Sequence, residues 1–341
     1  MVFSMLRDTY NRDLNDLRIS VTDRCNFRCN YCMPLEAYNW LDRREVLRYE
    51  EILRLAKLFI DAGVDKIRLT GGEPLLRKDL ERLIEKLSAL DGLKDLCLTT
   101  NGALLAEKAP ALKAAGLGQI NVSLDTLDFE KFKKITQRGD LGSVLDGLGA
   151  AKDHHFSAVK INTVVERGVN DDEILDLVEF SRKNRFPIRF IEYMDVGNSN
   201  DWNSEKVVTK EEILDTIHAK YPLREAERSD YSAPSTDYEF LDGGGQFGVI
   251  ASVTEPFCSA CTRARLTADG KLVTCLFSEK GFDLKALLRT GAGDEEIRSA
   301  IETVWRGRRD RYSEQRLEAL HSADGYQAKS HQKIEMIQLG G

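Results

Sequence analysis

The sequence predicts an α/β protein: a partial, open (βα)6 barrel of the TIM type, with a smaller C-terminal region covering its open side. Three observations lead there. Strand-like and helix-like patterns alternate from about residue 15 to residue 195, which reads as βα units around a parallel sheet. Six such units are too few for the closed eight-stranded barrel. The first, second and fourth strand candidates are apolar on one face and polar on the other, whereas strands covered by helices on both sides read as near-continuous apolar runs.

In chain order, the strand candidates are residues 17–22, 65–70, 95–100, 119–124, 158–164 and 187–193. Amphipathic helix candidates between them include 49–62, 78–90 and 171–184. Ile19 and Val21 alternate with Arg18, Ser20 and Thr22, and Ile67 and Leu69 with Arg68 and Thr70. Ile120, Val122 and Leu124 likewise alternate with Asn121, Ser123 and Asp125. The apolar face suits helices; the polar face must line something wet. A closed barrel has a packed apolar interior, so the polar lumen implies a ligand-filled cavity. After about residue 200 the rhythm changes. Residues 232–245 read as a loop, 263–276 as a hairpin turning at Asp269-Gly270, and 283–289 and 294–309 as helices. The expected division is 1–200 for the barrel and 201–341 for the second region.

Composition narrows the classes. The 341 residues are 42% hydrophobic and 31% charged, as in a globular protein. A net charge of −7 argues against wholesale nucleic-acid binding. No apolar stretch reaches the roughly eighteen residues that span a bilayer, and residues 1–16 are unlike a secretory signal. Of seven cysteines, six fall into two spaced triplets, which points to metal ligation in a reducing cytoplasm rather than to disulfides. The seventh, Cys97, lies in an apolar run and reads as a plain core residue.

The first triplet, Cys25, Cys29 and Cys32, has the spacing C-x3-C-x2-C on one short loop. A four-iron cluster normally takes four thiolates; three leave one iron open, and an open metal position marks catalysis. A zinc loop with a distant fourth ligand, or three unrelated thiols, would give the same spacing. The second triplet, Cys258, Cys261 and Cys275, also lacks a fourth thiol; either another cluster or a zinc site completed by His321 or His331 fits it.

Most other suggestive residues close a strand at its C-terminal end, where βα barrels build active sites. Gly71-Gly72-Glu73-Pro74 follows the second strand, Thr99-Thr100-Asn101-Gly102 the third, Ser123-Leu124-Asp125 the fourth and Glu192-Tyr193-Met194 the sixth. The glycines allow a backbone to approach a ligand, and Glu73 offers a carboxylate to an ammonium group. Arg18 and Arg68 fall on the polar face, Lys160 shares a face with Asn162, and Arg263 and Arg265 point one way; Arg189 would need a bulge to join them. Inward cations are costly without an anion, and arginine forks suit phosphate oxygens. The pattern suggests a polyphosphate, against the alternative of ordinary ion-pairing residues.

Together the two triplets, the GGEP turn, Arg263-Ala264-Arg265 and the terminal Leu339-Gly340-Gly341 resemble the GTP 3',8-cyclase family of the radical S-adenosylmethionine (SAM) superfamily, from about residue 16 onward. The resemblance implies two 4Fe-4S clusters. One, on Cys25, Cys29 and Cys32, would reduce SAM to yield a 5'-deoxyadenosyl radical that takes hydrogen from C3' of GTP. The other, on Cys258, Cys261 and Cys275, would hold guanine at its open iron. The product would be (8S)-3',8-cyclo-7,8-dihydroguanosine 5'-triphosphate, early in molybdenum cofactor biosynthesis.

By the same resemblance Tyr31, Gly72, Glu73, Ser123 and Met194 would contact SAM. Arg18, Arg68, Thr99, Lys160, Arg189, Arg263, Ala264 and Arg265 would contact GTP, with Arg263 and Arg265 also placed in the catalytic set. The Gly-Gly tail would reach into the active site. Expected partners are a flavodoxin- or ferredoxin-type reductant, cyclic pyranopterin monophosphate synthase as taker of the product, and a second copy of the chain in a homodimer. Neither nucleic acid nor membrane is expected. The rivals are a peptide-modifying radical SAM maturase, which should carry more C-terminal cysteines, and a zinc-stabilised binding module without catalysis.

Overall fold

The computed structural model describes residues 6–33, 38–198, 200–228, 230–322, 326–328 and 332–340; His331 and Gly341 lie outside this set. The first six strands are β1 (Asp16–Ser20), β2 (Lys66–Thr70), β3 (Asp95–Thr100), β4 (Gln119–Ser123), β5 (Ala158–Val165) and β6 (Ile188–Glu192). They pair in parallel in that order. Six more follow: β7 (Leu223–Glu225), β8 (Thr236–Phe240), β9 (Gln246–Ile250), β10 (Arg263–Leu266), β11 (Lys271–Val273) and β12 (Phe282–Asp283). All twelve form one open sheet, ordered β12-β11-β10-β1-β2-β3-β4-β5-β6-β9-β8-β7.

The alternation in the sequence is the cause of this architecture. In β5, Val159, Ile161, Thr163 and Val165 are buried while their neighbours are only half-buried. The apolar set of the parallel strands packs on helices Tyr49–Asp61, Leu80–Ser88, Leu105–Ala114, Leu141–Asp153 and Ile174–Asn184. Ile19, Ile67, Leu98, Ile120, Ile161 and Ile188 are all fully buried in that layer. Each such side chain contributes about 1.5–3 kcal/mol relative to exposure. Helix starts are fixed locally: Asp128 Oδ1 accepts from Lys131 N at 2.8 Å, and Asp140 Oδ2 from Ser143 N at 2.9 Å.

The C-terminal region joins the sheet at both edges. β9 pairs in parallel with β6, and β10 in parallel with β1. Residues 251–262 therefore cross from one edge of the six-stranded core to the other, carrying Cys258 and Cys261. The hairpin expected at Asp269-Gly270 is present, with β10 and β11 antiparallel. The loop expected over 232–245 is not: it contains β8, because Tyr238 and Phe240 bury themselves against Phe247. Among the described residues no helix is long and apolar enough to cross a membrane.

Candidate active site

The loop bearing Cys25, Cys29 and Cys32 is clamped on several sides. Arg28 N donates to Thr136 O at 2.9 Å and Asn30 N to Ile135 O at 3.1 Å, at the end of helix Phe129–Thr136. Phe27 is buried edge-on against Phe132 at 5.8 Å. Tyr31 OH donates to Asp125 Oδ2 at 2.7 Å, tying the loop to the end of β4. Burial pushes the Cys25 thiol up to about 11 and the Cys32 thiol to about 12, and drives Cys29 well upward. Such thiols ionise only beside strong positive charge, which a metal centre supplies.

The GGEP turn faces this loop. Gly72 N donates to Thr22 O and Glu73 N to Arg24 O, both at 2.7 Å. A Cβ on Gly72 would sit 2.3 Å from Arg24 O, so glycine is required by the approach of the cysteine loop's own lead-in. The close approach expected there of a ligand is made by the backbone of Arg24. Glu73 is 1% exposed. Its Oε1 accepts from Thr100 Oγ1 at 2.7 Å and Leu75 N at 2.9 Å, and its Oε2 from Asn101 N at 2.7 Å. A carboxylate offers about four acceptor positions, so one remains. Burial outweighs these bonds and raises the Glu73 carboxyl to about 7. Asn101 closes the ring, donating to Asn26 Oδ1 at 2.8 Å.

Tyr31 and Met194 pack against one small apolar cluster, formed by Tyr193, Trp202, Val207 and Val253. Ser123, at the end of β4, is half-buried. The five residues named for SAM thus lie at the C-terminal ends of β1, β2, β4 and β6.

The cations share the polar face. Register pairs Arg18 with both Arg68 and Arg265, Thr99 with Asn121, Asn121 with Lys160, and Asn162 with Arg189. Arg189 needs no bulge: Ile188 and Phe190 on either side of it are buried in the core layer. Ala264 points the other way, into that core, so only its backbone faces the lumen. Cys97 is buried as expected but belongs to the polar face, between Leu96 and Leu98 of the core and in register with Arg68.

The cations on this face outnumber the carboxylates acting on them, Asp16 and Asp237. Burial, with Arg265 and Arg68 facing it, drives the Arg18 guanidinium well below its ordinary range. Burial and Arg263 bring Arg265 down to about 10; burial and Arg189 lower Lys160. Arg18 Nε, Arg68 Nε and Arg68 Nη1 are buried without a partner among the described residues. Uncompensated buried donors of this kind are costly. A polyphosphate would satisfy them.

Cys258 opens a single 3-10 turn, Cys258–Ala260, and Cys261 N donates to Cys258 O at 3.2 Å. Burial would raise the Cys261 thiol, but Arg263 and Arg308 bring it down to about 6. Burial lifts Cys275 to about 12. His321, just past helix Tyr312–Leu320, is exposed. Among the described residues no three His, Cys, Asp or Glu side chains converge on a single-ion site. Each thiolate of a cluster ligates its own iron, so such convergence is not what that group needs.

Sequence patterns did not reveal what holds the C-terminal segment. Asp195 accepts from Lys333 Nζ at 2.6 Å and from Arg316. Asn198 Nδ2 donates to Lys333 O at 2.6 Å and to Glu335 Oε1 at 2.8 Å. Ile337 and Leu339 are buried. Arg265 Nη1 donates to Gly340 O at 2.6 Å. A Cβ on Gly340, whose φ is +70°, would lie 2.2 Å from Thr70 Cγ2.

Residues 19–181 match the family described as the radical SAM superfamily, and 186–314 the one described as Molybdenum Cofactor Synthesis C. The GTP 3',8-cyclase of Staphylococcus haemolyticus (strain JCSC1435) is 44% identical over 344 residues, covering 99% of each chain. That of Aquifex aeolicus (strain VF5) is 48% identical over 342 residues, covering 99% of this chain and 100% of its own. The crystal structure of Streptococcus suis SuiB bound to precursor peptide SuiA superposes with a TM-score of 0.59. It is 18% identical and matches 92% of this chain and 68% of that one, a likeness of fold.

Proposed function

The chain belongs to the GTP 3',8-cyclase family of the radical SAM superfamily, and from that premise we propose which residues carry each part of the reaction. The activity is a radical SAM cyclisation of GTP in molybdenum cofactor synthesis. Its product in this family is (8S)-3',8-cyclo-7,8-dihydroguanosine 5'-triphosphate. When bound, SAM and the cluster on Cys25, Cys29 and Cys32 supply the organic radical that starts the chemistry.

The residues of the chain hold and orient. Cys258, Cys261 and Cys275 hold a second cluster beside the substrate. Tyr31, Gly72, Ser123 and Met194 line the SAM site, and the free acceptor position of Glu73 meets its ammonium group. Arg18, Arg68, Lys160, Arg189, Arg263 and Arg265 clamp the triphosphate. Thr99 and the Ala264 backbone complete the contacts. Arg265 also anchors the Gly340 carbonyl, so the C-terminal segment walls the site and limits water, as a radical requires. The observation that carries this assignment is the set of buried guanidinium donors on Arg18 and Arg68 that have no partner among the described residues.

A flavodoxin- or ferredoxin-type donor in the cytoplasm supplies the electron, cyclic pyranopterin monophosphate synthase takes the product, and the chain pairs as a homodimer. The barrel is assigned to 1–200 and the second-cluster region to 201–341. Anaerobic metal analysis and product assay test the core of the proposal. About eight irons per chain are expected, and 5'-deoxyadenosine should form only when GTP is present. Alanine at Cys25, Cys29 and Cys32, or at Cys258, Cys261 and Cys275, should each remove about half of that iron. Zinc in place of iron, or deoxyadenosine formation indifferent to GTP, would refute it.

A further inference from the structure

Residues 6–14 precede the motifs that define the active site, yet they carry a buried charge group at the second cysteine triplet. Asp8, Arg12 and Arg308 are 6%, 4% and 4% exposed. Asp8 Oδ2 accepts from Arg12 Nε at 2.5 Å and lies 3.8 Å from Arg308 Nη1. Its Oδ1 accepts from Tyr10 N at 2.8 Å and Arg12 N at 3.0 Å, which fixes the carboxylate.

Both guanidinium forks then turn to the cysteines. Arg12 Nη1 donates to the carbonyls of Cys258 and Asp310, each at 2.8 Å. Arg308 Nη1 donates to Cys261 O at 2.6 Å, and its Nη2 to Cys261 Sγ at 3.2 Å. Arg308 also rests 4.6 Å over the Trp305 ring and pairs with Asp310 Oδ2 at 3.3 Å. Arg12 Nη2 is buried with no partner among the described residues.

Two buried guanidinium groups share one fully buried carboxylate and one half-buried one. Asp310 is partly exposed and so screened by solvent; Arg308 also aims a donor at Cys261 Sγ, which suits an iron-ligating thiolate.

We infer that Arg308 is a positioning residue for the second cluster: its N–H···S bond to Cys261 draws electron density from that ligand and raises the cluster's reduction potential, while Asp8 and Arg12 hold the fork in place. Hydrogen bonds to ligand sulfurs and local net charge are the levers that set such potentials. The inference rests on the reading of Cys258, Cys261 and Cys275 as a cluster site, and it gives the N-terminal segment a part in tuning that site.

The test is a redox titration of the anaerobic holoenzyme followed by electron paramagnetic resonance, with iron counted in each sample. Arg308→Gln should keep about eight irons per chain, with one cluster potential lowered and the other unmoved. Arg308→Lys should fall between Gln and the native protein, since lysine keeps the charge and loses the fork. Unchanged potentials at full iron content would overturn the inference. So would loss of about half the iron in both variants, which would make Arg308 a structural support only. Half the expected iron in the unsubstituted protein would instead remove the two-cluster reading itself, and the inference with it.

Discussion

Arg68 shows how much one side chain discloses about its ligand. It is 8% exposed, its Nε and Nη1 have no partner among the described residues, and its register neighbours Arg18 and Cys97 offer no compensating carboxylate. Arg68→Ala should weaken GTP binding by about 1.5–3 kcal/mol, the range for bonds to charged groups. Equilibrium binding of GTP to the cluster-loaded enzyme checks this; unchanged affinity would place the phosphates elsewhere. Glu73 makes a prediction about pH. Its carboxyl is raised to about 7 by burial, so it is ionised above that pH and neutral below. Only the ionised form attracts an ammonium group. SAM affinity should therefore fall as pH drops below about 7, by roughly tenfold per unit, and Glu73→Gln should bind weakly with a flat profile. Calorimetric titration between pH 5.5 and 8 distinguishes the two. The cysteines and the GGEP residues were legible in the sequence because their spacing is local. The facing of Cys97 was less so: its apolar neighbours Leu96 and Leu98 suggested the core, but strict alternation puts it opposite them.

Among elements, the six parallel strands could be read because one face is paid for by helices and the other by ligand, leaving a clean period of two. β8 carries no clear sequence signature because Ser, Asp and Gly surround it, while the Tyr238 and Phe240 contacts that make it a strand come from β9. The turn after β2 illustrates coupling between elements. Its glycines fit against residues 22–24, which lead into the first cysteine loop. Gly72→Ala should cost about 1–3 kcal/mol by overpacking and should also lower iron content at the first triplet, because the lead-in must shift. Thermal unfolding and iron analysis together measure this; a stable variant with full iron would mean that the turn can relax without disturbing the loop.

For the molecule as a whole, the informative contacts are those between distant parts of the chain. Neither β6–β9 nor β1–β10 pairing has a local signature, so the sequence could announce a second region without saying that it extends both edges of the sheet. The same holds for the anchor of residues 332–340 on Asp195, whose carboxyl burial would raise but Arg316 and Lys333 hold down at about 2. Asp195 therefore stays ionised above about pH 4, and any loss of docking with pH belongs to the alkaline side, where Lys333, lowered by burial, gives up its proton. Lys333→Ala should speed amide exchange at Ile337 and Leu339 while leaving the β1–β6 core protected. Hydrogen-exchange mass spectrometry reads both, and unchanged protection of the segment would locate its anchor elsewhere.

Residues 251–262 and β10 are continuous, so Cys258 and Cys261, two of the three thiols proposed to hold the cluster beside the base, and the arginines proposed to grip the phosphates belong to a single ribbon. Their separation is a fixed gauge, set by the rise of the backbone. Because side chains alternate along β10, one extra residue between Cys261 and Arg263 that shifts the strand's register would turn both arginines outward and bring Ala264 round in their place, with Cys258 and Cys261 on the near side of the shift. The reach between base and phosphate ends is thereby written into the chain as a length in residues, and a nucleotide of different span would be met by a gauge that cannot stretch.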